Sequence, residues 1–272
     1  MTEIIYEVGI NANGDLDIAK KMIDVAVAAG CDYVKFQKRN VNLVYKREEL
    51  DTPRKSPWGK TNRDQKFGLE FDLYDYKKID KYCKSKGIKW FASPWDLDSL
   101  RFLEDFKIPF IKIPSALVTN NDFLLSCRET KIPLIVSTGM CNWEMVDHIE
   151  KILSNSVYCM MHCTSTYPTA IDELNLNAIK VMRKCYPQYR IGFSNHHQGL
   201  TPMIIAASMG AEMVEFHGTL DRSMYGSDQA ASIEPEGVFR LVKHIRGVEK
   251  AMGDGEKLIY DSEKPIIKNL RR

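Results

Sequence analysis

The chain has 272 residues, of which 44% are hydrophobic and 27% are charged, values typical of one soluble α/β domain. Its 38 basic and 36 acidic residues give a formal net charge of +2, and they form neither a basic arm nor an acidic tail. This balance gives no reason to predict nucleic acid or a membrane surface as a partner, although it leaves room for a local basic pocket.

Short apolar segments recur along the whole chain. Each is rich in Val, Ile, Phe and Tyr, and their lengths and composition are those of buried parallel strands. The eight predicted strands cover residues 4–11, 32–37, 88–93, 110–115, 133–138, 157–165, 189–195 and 213–218.

Amphipathic segments with a helical period separate these strands. The first predicted helix places an apolar group on or beside one face and ends at Gly30, and Pro202 suits the first turn of a later helix. The apolar group of the first helix consists of Ile18, Met22, Ile23, Val25 and Ala26. The predicted helices cover residues 15–30, 72–87, 143–154, 176–185, 201–210 and 235–253.

Eight alternations of strand and helix predict a closed (β/α)8 barrel that forms a single domain over residues 1–272. The alternative is an open doubly wound sheet, which usually carries a GxGxxG turn after its first strand, and this chain has none there. Two segments depart from the alternation. Residues 38–71 are predicted to be a long loop on the face of the barrel where active sites are built, and residues 257–272 are predicted to be a polar tail.

The cysteines and the N-terminal sequence bear on the cellular compartment of the protein. Seven cysteines without a CxxC pair predict reduced, buried thiols rather than a zinc ribbon or a disulfide framework. The first residues enter a strand pattern at once, so no signal peptide is predicted, and no apolar run is long enough for a membrane helix. We expect a cytoplasmic protein.

Charged and hydroxyl side chains lie within or at the ends of the predicted buried strands. Glu7, Lys35 and Lys112 lie in the first, second and fourth strands, and serines end the third, fourth, fifth and seventh. Because strand ends in a barrel converge at one mouth, two lysines with hydroxyl donors predict a site for a ligand that carries phosphate and carboxylate. The alternative is that each lysine is paired with a carboxylate. The serines are Ser93, Ser115, Ser137 and Ser194.

Two histidines follow from the last two strands. His196 and His217 would be neighbours at the mouth, and two imidazoles with oxygen ligands suit a divalent cation such as manganese, cobalt, iron or zinc. Glu215 and Asp228 are predicted to be acceptors that orient the imidazoles or metal-bound water. The alternative for each histidine is a hydrogen-bonded structural group.

These residues lie in segments that resemble the N-acetylneuraminate (sialic acid) synthase family over almost the whole chain. The segments follow the family order and read EVGINANGD, DYVKFQ, FASPWD, FIKIPSALVTN, PLIVSTGM, HCTSTYPT, IGFSNH and VEFHGTLDRSMYGSDQAAS. The resemblance implies a metal-dependent condensation of phosphoenolpyruvate with a sugar aldehyde, an open-chain N-acylhexosamine such as N-acetylmannosamine. The products would be a nonulosonic (sialic-type) acid and phosphate.

The resemblance also implies roles for individual residues. His196 and His217 match the metal ligands, with Mn²⁺ expected first and Mg²⁺ or Co²⁺ as alternatives. Glu7 matches the catalytic carboxylate, and the implied catalytic set is Glu7, Lys112, His196 and His217. The positions that match phosphoenolpyruvate contacts are Lys35, Ser93, Lys112, Ser115, Ser137 and Ser194. Those that match contacts to the sugar or to metal-bound water are Gln37, Tyr167 and Asp228.

The chain departs from the family pattern in three places. Ala12 stands where members often have histidine, and Leu117 stands where bacterial members carry a glutamate. The C-terminal antifreeze-like domain, which supplies an arginine to the N-acyl group in a partner subunit, is expected to be absent from this barrel. The alternatives are therefore another phosphoenolpyruvate-dependent 3-deoxy-keto-acid synthase, with a different or phosphorylated aldose, or a non-catalytic sugar-binding barrel. A homo-oligomer is expected.

The long segment 38–71 offers a replacement for that missing domain. We expect it to order over the mouth when both substrates bind, with Trp58 stacked on a sugar face and Arg54 in place of the missing arginine. Lys55 and Lys60 are further groups there that are able to meet a sugar. The alternative is a mobile polar surface loop.

Overall fold

Eight parallel strands close into a barrel in the computed structural model, which describes residues 1–271. The barrel strands are β1 Glu3–Glu7, β2 Tyr33–Lys38, β5 Lys89–Pro94, β6 Ile111–Ile113, β7 Leu134–Ser137, β8 Val157–His162, β9 Arg190–Asn195 and β10 Met213–His217; β3 Pro53–Ser56 and β4 Gly59–Thr61 form a separate hairpin. Their order around the barrel is β1-β10-β9-β8-β7-β6-β5-β2. The predicted (β/α)8 fold is confirmed, and each predicted strand overlaps a barrel strand.

Helices surround the barrel and connect its strands. They are α1 Leu16–Ala29, α2 Val41–Val44, α3 Arg47–Leu50, α4 Asn62–Gly68, α5 Leu73–Lys86, α6 Leu97–Glu104, α7 Asn121–Glu129, α8 Trp143–Leu153, α9 Asn177–Cys185, α10 Thr201–Ser208, α11 Pro235–Met252 and α12 Lys264–Leu270. The predicted helices correspond to α1, α5, α8, α9, α10 and α11. No helix within residues 1–271 has the length and apolar character required to cross a membrane.

Local sequence fixes the ends of α1. The side chain of Asp15 accepts hydrogen bonds from the backbone N–H groups of Asp17 and Ile18, and Gly30 ends the helix with a φ of 85°, a conformation that glycine adopts without strain. The fully buried face consists of Ala19, Met22, Ile23 and Ala26, with Ile18 and Val25 partly buried beside it. The predicted apolar face is therefore correct except that Ala19 belongs to its centre.

The helices α6 and α7 were not among the predicted segments. Each is only two to three turns long, so few apolar positions repeat. Their signal lies in the caps, because Asp96 accepts from the backbone N–H of Ser99 and Asn120 accepts from that of Phe123. Such caps satisfy backbone donors that a helix start leaves free.

The segment 38–71 is folded, which corrects the expectation of an irregular loop. It contains α2, α3, the β3–β4 hairpin and α4, and we call it the insertion. Phe71 at its end belongs to the hydrophobic core of the barrel, and Val41, Leu50 and Leu69 are buried as well. The predicted tail also has structure, since α12 occupies most of its end; Arg272, its last residue, lies outside the described residues.

The register of the strands brings the polar residues together. Glu7 on β1 is level with Lys35 on β2 and with His217 on β10. Glu215 on β10 is level with Ser194 on β9. Because side chains alternate along a strand, Glu215 and His217 share a face. All these side chains are buried, at the carboxyl end of the barrel.

Candidate active site

A cavity of about 190 Å³ opens at the carboxyl ends of the strands. Its lining includes the predicted residues Lys35, Gln37, Ser93, Lys112, Ser115, Ser137, Tyr167, Ser194, His196 and His217. Glu7 lies under this lining in contact with Lys35, and Asp228 lies beside His217. The structure therefore brings every predicted site residue to one place, and their roles remain predictions.

Further residues line the cavity that sequence reasoning did not select. They are Trp95, Pro114, Ala116, Met140 and Ser165. Each of them follows the end of a barrel strand by one to three positions. Extending the predicted strands into their loops would have found Trp95, Ala116 and Met140, because the loops after the strands build this face of a barrel.

Both lysines are paired with buried carboxylates. The Nζ atom of Lys35 lies 2.7 Å from Oε2 of Glu7 and 3.7 Å from Oε1 of Glu215. The Nζ atom of Lys112 lies 2.5 Å from the same Glu215 oxygen, which also accepts a hydrogen bond of 3.1 Å from Ser194. The structure thus places Glu215 on the lysines and not on the imidazoles, contrary to the prediction. Each lysine is paired with a carboxylate, as the alternative interpretation of the sequence expected.

The pairing sets the protonation of these groups. Burial raises the pKa of Glu215, but Lys112 and Lys35 outweigh burial and lower it to about 2, so this carboxylate is ionised at neutral pH. Burial also lowers the pKa of Lys35, but the carboxylates of Glu215 and Glu7 raise it above its ordinary value. Burial dominates for Lys112, whose pKa is lowered. The two pKa values shift in opposite directions because Lys35 has two carboxylate neighbours and Lys112 has only one.

Hydroxyl groups and a backbone turn surround the lysines. Ser93 accepts a hydrogen bond of 3.4 Å from Lys35, and Ser115 accepts one of 3.0 Å from the backbone N–H of Gly139. A Cβ atom at Gly139 would lie 2.2 Å from Oγ of Ser165, so only glycine allows the loop after β7 to approach so closely. These short donors suit phosphate oxygens.

The two imidazoles meet across the cavity wall. Their ring centroids lie 5.7 Å apart. Nδ1 of His196 donates to the carbonyl oxygen of Thr164 at 2.7 Å, which leaves Nε2 to accept from the hydroxyl of Tyr167 at 2.9 Å. Burial and the nearby charge of His217 lower the pKa of His196 to about 3. His196 is therefore a neutral imidazole with a lone pair that faces the cavity.

These residues fit a cation whose coordination the protein only partly supplies. Within the described residues, no group of three or more His, Cys, Asp or Glu side chains is arranged to hold a metal. Two imidazoles would leave coordination positions for water and substrate oxygens, as catalytic sites do. The backbone carbonyl that fixes Nδ1 of His196 is the usual support of a metal-binding histidine. Oδ2 of Asp228 lies 3.5 Å from Nδ1 of His217, a nitrogen without a hydrogen-bond partner among the described residues, and the orienting role of Asp228 stays a prediction.

Glu7 is held from two sides. Its Oε1 accepts a 2.7 Å hydrogen bond from Gln37, while its Oε2 contacts Lys35. Gln37 in turn accepts from Arg39, whose guanidinium lies 4.7 Å from the ring centroid of Trp95. Arg39 is the second residue of the insertion, directly after the end of β2, and its sequence position gave no sign of this contact. The insertion therefore reaches Glu7 through one intermediate side chain, Gln37.

The insertion is also joined to the loop after β10. The ring of Trp58 packs edge-on against Tyr225 with centroids 5.6 Å apart, and it covers Gly68, where a Cβ atom would lie 2.1 Å from the ring. Trp58 does not line the cavity. The structure thus uses this ring for packing, in place of the predicted stacking on a sugar. Lys55 and Lys60 are exposed.

Two family departures are packed into the core. Ala12 is fully buried, and Leu117 packs against the hydrophobic core. Neither position offers a polar group to the cavity, so contacts to an acceptor must come from other residues.

A larger groove of about 480 Å³ lies outside the mouth, between the insertion and the helices α5 and α6. Its cations Lys38 and Arg39 are both paired with Glu70, and Phe67, Leu73 and Phe102 supply much of its apolar wall. It contains no imidazole and no hydroxyl cluster. The smaller cavity is the better candidate for chemistry.

Known proteins share this chain's sequence and fold. Residues 22–257 match the NeuB family. The N-acetylneuraminate-9-phosphate synthase of Homo sapiens is 35% identical over 264 residues, which cover 96% of this chain and 74% of the relative. The N,N'-diacetyllegionaminic acid synthase of Legionella pneumophila is 36% identical over 279 residues, which cover 99% of this chain and 78% of the relative.

A solved structure agrees with these sequence matches. The N-acetylneuraminic acid (sialic acid) synthetase of Leptospira borgpetersenii superposes with a TM-score of 0.86 at 28% identity, covering 100% of this chain and 93% of that one. The match to the family extends through β2 to α11 and so includes both lysines and both histidines. The resemblance inferred from the sequence is confirmed: the chain belongs to the NeuB family, enzymes that condense phosphoenolpyruvate with a sugar to form nonulosonic acids.

Proposed function

We propose that this enzyme condenses phosphoenolpyruvate with an open-chain N-acylhexosamine, such as N-acetylmannosamine, in a reaction that depends on a divalent cation, Mn²⁺ first. The observation that carries the proposal is one cavity in which Lys35 and Lys112, with their serine neighbours, face the imidazoles of His196 and His217. An anionic donor and an aldehyde acceptor can then meet with their reacting carbons adjacent.

The reaction makes one carbon–carbon bond and breaks one carbon–oxygen bond. The enol carbon of phosphoenolpyruvate attacks the aldehyde carbon, and the aldehyde oxygen takes a proton and becomes a hydroxyl. Water adds to the carbon that bears phosphate, and the bond from that carbon to the phosphate oxygen breaks. The products are a keto acid and inorganic phosphate. A divalent cation held by His196 and His217 would supply Lewis-acid polarisation of the aldehyde oxygen.

The lysines bind the donor and stabilise the charge that develops on it. Lys35 and Lys112 lie side by side around Glu215, so they can hold the carboxylate and phosphate of one molecule. Ser93, Ser115, Ser137 and Ser194 add neutral donors. Fixed donors in a buried site stabilise a departing anion more than water does.

Glu7 is the group that moves a proton. It is fully buried, and Gln37 and Lys35 fix its two oxygens. Its place beside His217 in the strand register puts it between the two half-sites. From there it can exchange a proton with the added water or with the new hydroxyl.

Gln37, Tyr167 and Asp228 are the proposed contacts for the acceptor and for the water near the cation. Tyr167 is 49% exposed, although its hydroxyl touches His196, so its ring stands at the entrance. Its position suits a residue that meets the sugar as it arrives.

The identity of the sugar is the part of the proposal that needs most testing. The human relative is named for N-acetylneuraminate 9-phosphate and the Legionella relative for diacetyllegionaminic acid, and their identities to this chain are almost equal. A different or phosphorylated aldose is therefore the second candidate. The proposal also includes a cytoplasmic location, in line with free thiols at every cysteine, and a homo-oligomeric state.

The test is phosphate release from phosphoenolpyruvate across a panel of N-acylhexosamines, hexoses and pentose phosphates. We expect release only with both a divalent cation and an N-acylhexosamine, with one keto acid formed per phosphate. Glu7→Gln should lose this activity, whereas Glu236→Gln, a change in an exposed surface pair, should retain it. Release without any aldehyde, or a preference for pentose phosphates, would contradict the proposal.

A further inference from the structure

A chain of hydrogen-bonded side chains joins the insertion to Glu7. Glu70, near the end of the insertion, accepts from the backbone N–H of Arg39 at 3.1 Å and from its guanidinium at 3.3 Å. Arg39 donates through its other terminal nitrogen to the side-chain oxygen of Gln37. Gln37 then donates to Oε1 of Glu7 at 2.7 Å. Each member of the chain therefore fixes the next one.

Arg39 is held on several sides. Its side chain is only 10% exposed and that of its partner Glu70 only 11%. The guanidinium lies 4.7 Å from the ring centroid of Trp95, and the backbone N–H of Trp95 donates to the carbonyl oxygen of Lys38 at 3.0 Å. A planar guanidinium can stack on a ring while its fork donates to two partners. The single nitrogen of a lysine cannot occupy both donor positions.

The two ends of the Gln37 amide have opposite partners. An ionised carboxylate can only accept and a guanidinium can only donate, so the amide nitrogen faces Glu7 and the amide oxygen faces Arg39. Without Arg39 the amide oxygen would be free, and the amide could turn over whenever Glu7 carried a proton to donate. Arg39 therefore keeps the N–H group of Gln37 on Glu7 whether or not Glu7 carries a proton.

We propose that Arg39 is a positioning residue, which acts through Gln37 to hold Glu7 in the orientation that its proton exchange requires. The inference rests on the proposed function, in which Glu7 moves the proton. Arg39 is not among the residues that line the cavity, and Lys35 and Lys112 have carboxylate partners of their own. Loss of Arg39 should therefore reduce turnover and leave the binding of phosphoenolpyruvate unchanged.

Arg39→Lys is the sharpest test, because lysine keeps a positive charge for Glu70 but has one nitrogen in place of the fork. We expect kcat to fall about tenfold or more, the loss expected for one hydrogen bond to a charged group, with the KM for phosphoenolpyruvate unchanged. Lys38→Met is the matched control, since the Lys38 ammonium donates to Glu70 and to the carbonyl of Phe71, and it should keep the wild-type kcat. An unchanged kcat in Arg39→Lys, or an equal fall in Lys38→Met, would overturn the proposal.

A double-mutant cycle separates action through Gln37 from damage elsewhere. Gln37→Met alone should lower kcat at least as much as Arg39→Lys does. The variant with both changes should lose no more than Gln37→Met, because residues that act through one another are not additive. Losses that multiply would mean that Arg39 acts by another route, and they would reject the positioning role.

A second measurement does not depend on turnover. If the wild type releases no phosphate, the proposed function fails separately, and the side-chain amide of Gln37 decides whether Arg39 fixes it. Its NMR signals are identified by their absence from Gln37→Met. We expect its N–H groups to exchange with water at least about tenfold faster in Arg39→Lys than in the wild type or in Lys38→Met, because losing one hydrogen bond to a charged group lets the amide turn. Equal exchange rates in all three proteins would show that Arg39 does not hold the amide.

Discussion

Glu215→Gln removes one charge from the buried network and leaves the shape of the side chain almost unchanged. In the wild type, Oε1 of Glu215 is 2.5 Å from Nζ of Lys112, and no other carboxylate lies within ion-pair distance of that lysine in residues 1–271. Lys35 keeps Glu7 at 2.7 Å. The substitution therefore leaves Lys112 buried without a counter-charge.

Removing one partner of a buried ion pair costs about 3–5 kcal/mol. Burial already lowers the pKa of Lys112, so this lysine can lose its proton when its partner is removed. The loss of stability should therefore lie near the low end of that range. About 3 kcal/mol corresponds to a fall in Tm of roughly 6–12 °C for a chain of this size. Because the unfolded state then binds more protons than the folded state, the cost should shrink as pH rises toward about 10.4, the ordinary lysine pKa.

Thermal unfolding of the wild type and Glu215→Gln, at neutral pH and again near pH 9, measures both effects. Glu236→Gln is the control, because its pair with Arg240 is exposed and such pairs contribute about 0–1 kcal/mol. Phosphoenolpyruvate should raise the Tm of Glu215→Gln by more than that of the wild type, since its anionic groups replace the missing charge. If Glu215→Gln and the control had equal Tm values, the lysines would not depend on this carboxylate.

Three further changes test separate parts of the site. His196→Ala or His217→Ala should abolish cation-dependent turnover in a folded protein, and full activity after stringent chelation and metal reconstitution would remove the metal assignment. Lys112→Met should raise the KM for phosphoenolpyruvate about tenfold or lower turnover, since a charge-assisted contact contributes ~1.5–3 kcal/mol; an effect on the sugar constants alone would contradict this. Deleting the hairpin of residues 53–61 should impair sugar use far more than phosphoenolpyruvate binding, and wild-type sugar kinetics would place acceptor recognition elsewhere.

The fold was predictable because its strands are buried on both faces. Such strands are continuous apolar runs, and eight of them separated by helical segments leave few architectures. The same logic found the site, because a lysine such as Lys35 or Lys112 within an apolar run is costly to bury without a partner or a ligand. The serines and histidines at strand ends were selected only because the strand ends of a barrel converge at one mouth.

The partners within the site were not predictable. Glu215 and His217 share a strand face, and the stagger between strands decides which of their neighbours each one meets. That stagger is set by packing around the whole barrel, and it placed Glu215 level with Ser194 and in contact with both lysines. The insertion escaped prediction for a different reason. Its helices and strands are three to seven residues long, too short for a periodic pattern to emerge.

The charge balance of the site predicts that its two halves bind their ligands cooperatively. Two lysines face two carboxylates, Glu7 and Glu215, so the buried network is close to neutral before phosphoenolpyruvate enters. The carboxylate and phosphate of that substrate then add negative charge in a place where water screens it poorly. A divalent cation at His196 and His217 would offset this charge.

Phosphoenolpyruvate should therefore tighten the binding of Mn²⁺, and linkage requires Mn²⁺ to tighten the binding of phosphoenolpyruvate by the same factor, commonly about 5–150-fold. Calorimetric titration of Mn²⁺ with and without phosphoenolpyruvate, and the reverse pair of titrations, measures that factor twice. The two factors must agree, and in His217→Ala both should fall to one, which means no coupling. Equal Mn²⁺ affinities in the presence and absence of phosphoenolpyruvate would mean that charge balance does not connect the lysines to the imidazoles, and another cause would be needed for their placement in one cavity.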